Sequence, residues 1–178
     1  GATGPSTYAG LTEAAAASST IDEIAYSAAA RLIVTPNATS AYNFDSHYSG
    51  DNPTITAVPG TTLAFDLSAL ASHPFNIQAD TGSGFANITT GLVHVAEDGV
   101  VNTGGDAQNF GSGTLYWYVP ETNASGGYRY ICSAHAVMVG TIQIVEQSID
   151  GLLDVSAPSA STGEVLQYNG SSWVSNAF

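Results

Sequence analysis

The chain contains no lysine and only two arginines against fifteen acidic residues, a formal net charge of −13 over 178 residues. So little positive charge excludes a basic patch for nucleic acid or for an anionic membrane surface. A single cysteine excludes an internal disulfide. No stretch reaches the roughly 18 consecutive apolar residues expected of a membrane-spanning helix. No initiator methionine and no charged segment before an apolar run is present, so no signal peptide is expected. The sequence reads as a processed or cut piece. Catalytic signatures are missing too: there is no zinc-protease helix motif, phosphate-binding loop, dinucleotide glycine pattern or Ser-His-Asp order. A protein that is not an enzyme is expected. What abounds is Gly, Ser, Thr, Ala and Asn, which suits a β-rich extracellular, periplasmic or particle-surface protein.

The only cysteine and the only methionine fall in one stretch, residues 128–144. Tyr128 and Tyr130 alternate before them, and Ile142 and Ile144 after, which predicts a strand on each side. Cys132, His135 and Met138 therefore share a short loop. Thiolate, imidazole and thioether are the ligand types that select copper. A mononuclear blue-copper site uses one Cys, two His and a weak axial Met. The loop supplies three of these, and a second histidine must come from elsewhere. His73 is the best candidate, just after the strand-like run at 62–67. His47 and His94 have no partner pattern and are taken as non-ligands. His94 sits in the alternating run 92–95 and is expected to face solvent.

A histidine from one strand region meeting a Cys-His-Met loop before the closing strand resembles the cupredoxin family. The Cys-x2-His-x2-Met spacing, followed by Gly140 and an alternating strand, is most similar to the amicyanins within it. The resemblance implies a cupredoxin-like Greek-key β-sandwich. It also implies His73, Cys132, His135 and Met138 as ligands of one type 1 copper, used for one-electron transfer. Such a site has no open coordination position, unlike a catalytic metal site.

The remaining chain fits an all-β fold. Strand signals occur at 32–34, 42–44, 54–58, 62–67, 75–77, 92–95 and 115–119, separated by Gly, Pro and Asn turns. The glycine-rich run 99–113 is expected to be a long surface loop. Tyr116, Trp117 and Tyr118 are read as a strand alternating between core and surface rather than an electron relay. Gly1 and Gly4 keep a collagen-like spacing over two triplets only, so a flexible terminus is the preferred reading. Thr20 and Glu23 fit a capping box, and Ile21, Ile24, Ala28 and Leu32 recur at helical spacing, predicting a short helix over about 21–30. Three segments are expected: an extension with that helix at 1–30, the cupredoxin-like domain at 31–147, and a tail at 148–178. In the tail, 156–162 reads as a linker, and 163–174 as a hairpin turning at Asn169-Gly170.

The tail sequence Gly-Glu-Val-Leu-Gln-Tyr-Asn-Gly-Ser-Ser-Trp, at 163–173, resembles a segment common in structural proteins of tailed phages. Together with the Ser-His-Pro-Phe-Asn-Ile-Gln run at 72–78, the ligand loop is similar to cupredoxin-like domains in virion proteins of aquatic phages. The resemblance implies a virion structural protein (fibre, tail or capsid decoration) carrying a copper-binding domain. The alternatives are a soluble blue-copper electron carrier and a metal-free structural module. Expected partners are other virion proteins and further copies of the chain, most simply as a trimer, because the helix stripe and the tail hairpin each have little to bury alone.

Overall fold

The computed structural model describes residues 28–44, 47–121, 124, 126–145, 155–157 and 161–177. The chain divides into two compact units, residues 1–145 and 146–178. The first contains eleven described strands: β1 (Ala28–Asn37), β2 (Ala41–Phe44), β3 (Ile55–Ala57), β4 (Thr62–Asp66), β5 (Phe75–Asp80), β6 (Phe85–Asn87), β7 (Leu92–Val95), β8 (Val101–Thr103), β9 (Thr114–Tyr118), β10 (Tyr128–Cys132) and β11 (Val139–Ile144). They form a six-stranded sheet, β2-β1-β4-β9-β7-β8, and a five-stranded sheet, β3-β11-β10-β5-β6. Both sheets are mixed: β1 runs parallel to β4 and β3 parallel to β11, while the other pairs are antiparallel.

In β9 and β10 the period-two pattern gives the strand one apolar face. In β9, Leu115 and Trp117 are fully buried and Tyr118 is exposed. In β10, Tyr128, Tyr130 and Cys132 point inward and Arg129 and Ile131 are half-buried. The inward residues of both sheets make one continuous core, so the unit is a β-sandwich. Its centre is aromatic. Phe44 meets Tyr130 edge-on at 4.8 Å, Phe65 lies 5.1 Å from Phe75, and Phe75 stacks on Tyr130 at 5.8 Å.

The second unit has a three-stranded sheet in the order β12-β14-β13: β12 (Val155–Ser156), β13 (Glu164–Tyr168) and β14 (Trp173–Ala177). β13 and β14 form the hairpin expected from Asn169-Gly170. Asn169 Oδ1 accepts the backbone N–H groups of Ser171 and Ser172 at 3.0 Å each, and Gly170 adopts φ +100°. Every residue of β13 is exposed.

Several expectations need correction. The short helix was expected to reach residue 30, but Ala28–Ala30 open β1. The rest of that helix, with Thr20, Ile21 and Ile24, lies outside the described residues, as do Gly1 and Gly4. The 99–113 run is not simply a surface loop. It contains β8, a 3-10 turn at Gly104–Ala107, and the buried Ala107 and Gln108. Gln108 behaves as an extra strand residue: its side-chain amide accepts from Ile77 N at 2.6 Å and donates to Ile77 O at 2.9 Å. His94 does not face solvent. It is 0% exposed, stacked on Phe110 at 3.7 Å, with Nε2 2.8 Å from the Ser112 carbonyl. Residue 156, expected to open a linker, closes β12. Among the described residues no helix is long and apolar enough to cross a membrane.

Candidate metal centre

Strand register brings the donors together. Cys132 is the last residue of β10 and lies opposite Phe75, near the start of β5. His73 precedes Phe75 by two residues. The Ser133 N–H donates to the Pro74 carbonyl at 3.2 Å, extending that pairing past the end of the ladder. On the other side, β10 pairs with β11 through Ile131 and Val139. The Cys132 N–H then donates to the Met138 carbonyl at 2.9 Å, and the Met138 N–H to the His135 carbonyl at 3.0 Å. These two bonds close residues 133–137 into a compact loop that folds back over Cys132.

The result is one cluster at the end of the five-stranded sheet. The donor atoms of His73, Cys132 and His135 all lie within 4.8 Å of one another. Cys132 Sγ is 3.7 Å from His135 Nδ1, and the two imidazole centroids are 4.8 Å apart. Donors held about 2.0–2.3 Å from one ion in a trigonal plane stand roughly 3.5–4 Å apart. The sulfur–nitrogen separation has that spacing, and the widest separation slightly exceeds it. His73 Nδ1 is buried and has no hydrogen-bond partner, although buried polar atoms are normally satisfied. A buried imidazole nitrogen without a partner beside a thiol and a second imidazole fits a soft or borderline metal ion. Met138 is fully buried beneath the same loop. His47 is exposed, and neither it nor His94 belongs to the cluster.

Three neighbours that sequence reasoning missed hold the cluster in place. The Tyr42 hydroxyl donates to the carbonyls of His73 at 2.9 Å and Pro74 at 3.2 Å. Burial raises the Tyr42 pKa, and the adjacent Cys132 sulfur raises it further, so Tyr42 stays a protonated donor. Asn52 donates to the Val137 carbonyl at 3.1 Å and to Ser40 O at 3.3 Å, and accepts from Tyr42 N at 2.9 Å. It ties β2 to the ligand loop. Ser133 Oγ donates to Asn109 Oδ1 at 2.5 Å. Asn109 (φ +72°) and Asn52 (φ +46°) both sit in the left-handed region that asparagine tolerates better than most residues. An isolated Asn in a polar loop is the one signal the sequence carried for either.

At the surface, Ala71, Ser72, Ala134, Ala136 and Val137 are exposed around the half-buried His73 and His135. Small side chains leave the imidazole edges close to solvent, while Cys132 is 1% exposed.

No family model and no curated protein matches the chain. Among solved structures, auracyanin B is similar, with 18% identity over 66% of this chain and 90% of that one and a TM-score of 0.33. The chemistry of the site rests on its own geometry.

Proposed function

We propose that the sandwich is a cupredoxin-type domain that binds one type 1 copper ion for one-electron transfer. The observation that carries this reading is the convergence of His73, Cys132 and His135 at the end of one sheet, with His73 Nδ1 buried and unpartnered. Copper bound there supplies a one-electron couple. Cys132 would offer the thiolate, His73 and His135 the two imidazoles, and Met138 a weakly bound thioether that would tune the potential rather than hold the ion. Four side chains fill such a site, so we assign it no catalysis. Tyr42, Asn52 and Asn109 keep the donors in one arrangement, which limits reorganisation when the charge changes. The burial of Cys132 keeps the sulfur dry, and the exposed edge around His135 is the route for electrons.

The wider role we propose is structural: a virion protein whose sandwich is carried between extensions that self-associate, most simply as a trimer. The specific observation favouring assembly is the tail sheet, where Val165, Leu166, Tyr168 and Trp173 are all exposed. The phage-like sequence of that tail supports the virion setting.

The test is titration with Cu(II). We expect one equivalent to bind and to produce an intense visible thiolate charge-transfer band, lost in Cys132→Ser. Met138→Gln should keep the copper and lower the reduction potential. Binding that survives Cys132→Ser with an unchanged spectrum would end the copper reading. A full-length chain that sediments as a monomer at micromolar concentration would end the assembly reading.

A further inference from the structure

The outer face of the five-stranded sheet carries a second feature, away from the metal-site residues. Arg129 points outward from β10 between Gln78 of β5 and Thr141 of β11. Its Nε donates to Gln78 Oε1 at 2.8 Å, and its guanidinium lies 4.2 Å over the Phe85 ring. Gln78 is held in turn by Asn87, whose Oδ1 accepts its amide at 2.9 Å. The guanidinium plane is therefore fixed at one edge and one face. Its terminal nitrogens have no carboxylate partner among the described residues. The other arginine, Arg31, is paired with Asp66 at 2.7 Å.

Beside this arginine is a groove of about 350 Å³, bordered by Phe85, Arg129, Thr141 and the backbone of Gly126, Gly127 and Gly140. Of these glycines Gly127 leaves open space where a side chain would otherwise stand, whereas at 140 that space is taken by the Tyr130 ring. At 126 the space a side chain would take is filled by the Asp80 carboxylate. That carboxylate accepts the Gly82 N–H at 2.7 Å through its other oxygen.

We propose that this groove binds a small organic carboxylate of about monosaccharide size, anchored by Arg129. A planar guanidinium whose terminal nitrogens have no partner among the described residues presents a fork matched to a carboxylate, and its prior immobilisation lowers the entropic cost of binding. The volume lies at the small end of ligand pockets. The chain's charge of −13 repels anions at long range. Recognition is therefore local: the carboxylate meets Arg129, and the rest of the ligand lies along the glycine backbone and Thr141.

The test is an NMR titration of the full chain with glucuronate, using glucose and sodium chloride at matched concentration as controls. Glucuronate should give saturable shifts at the Gly126, Gly127, Gly140 and Thr141 amides and at Arg129 Nε–H, with a roughly millimolar dissociation constant. Arg129→Gln should weaken binding about tenfold or more. Arg129→Lys should fall between, since it keeps the charge and loses the fork. Retention of the amide spectrum outside the groove controls for misfolding. Equal shifts with glucose, or shifts that sodium chloride reproduces, would overturn the proposal. So would groove shifts that grow with protein concentration alone, because they would assign Arg129 to an acidic group of a second copy.

Discussion

The two units of the chain solve the problem of a β-sheet in opposite ways. In the sandwich, two sheets cover each other, and Val34, Phe44, Phe65, Phe75, Trp117 and Tyr130 are all 0% exposed. In the tail, a single three-stranded sheet leaves β13 exposed along its whole length, and Ala157 is the one apolar residue buried among those described. The first has the burial to hold a fixed set of donors at one end. Among its described residues the second has apolar surface and no core, which a small sheet needs for independent stability. A precise site suits the first kind of scaffold, and the assembly contact we propose suits the second.

The largest expected effect tests the sandwich. Phe44→Ala removes a ring that contacts Tyr48, Phe65, Phe75 and Tyr130. It should cost about 3–5 kcal/mol in urea unfolding followed by Trp117 fluorescence in a Trp173→Phe background. A loss under about 1 kcal/mol would mean that the aromatic centre is not what holds the unit together.

His94 sharpens the comparison from within the core. His94→Ala should cost about 1–3 kcal/mol, since it removes the stack on Phe110 and leaves the Ser112 carbonyl without its donor. Burial lowers the His94 pKa below its ordinary 6.5, outweighing the opposing effect of the Ser112 hydrogen bond. The unfolded chain therefore takes up this proton at a higher pH than the folded one. This contribution is full above pH 6.5 and is lost as pH falls from there through the folded value. Unfolding midpoints measured from pH 7.5 to 5 should fall less steeply in His94→Ala; an unchanged slope would contradict the assignment.

Tyr42→Phe should cost about 1–2 kcal/mol, because the His73 carbonyl loses the hydroxyl donor and the Pro74 carbonyl keeps only its Ser133 and Asn76 partners. It should also weaken copper binding more than Tyr48→Phe does. Equal copper affinity in both variants would show that the Tyr42 clamp has no bearing on the site.

The smallest effect on stability is expected in the tail. Leu166→Ser with Trp173→Ser should move the sandwich midpoint by less than about 0.5 kcal/mol while lowering the association state in analytical ultracentrifugation. A shift in the sandwich transition with no change in association would reverse the contrast between the units.

Much of this was legible in the sequence where one face of a strand is buried and the other wet. Alternation marked β9, β10 and β11, and the Cys-x2-His-x2-Met spacing marked the loop. It failed where that condition fails. β6 is exposed throughout and β8 is never fully buried, so neither leaves a periodic trace. β7 was legible as a strand at 92–95, but its facing was not: Leu92, Val93 and His94 are all buried, and Phe110 from a distant loop provides the lid over His94. Gln108 and Asn52 act through side-chain hydrogen bonds to remote backbone, which no local pattern encodes. The placement of His73 beside Cys132 depends on the pairing of β5 with β10, a long-range register. The sequence offered the histidine, and the register put it beside the thiol.

The most direct test of the central claim is X-ray absorption at the copper edge on protein loaded with one equivalent of Cu(II). The account predicts a near shell of one sulfur and two imidazole nitrogens, with the sulfur lost in Cys132→Ser and one nitrogen lost in His73→Ala. A near shell of nitrogen and oxygen only, unchanged by either substitution, would contradict it.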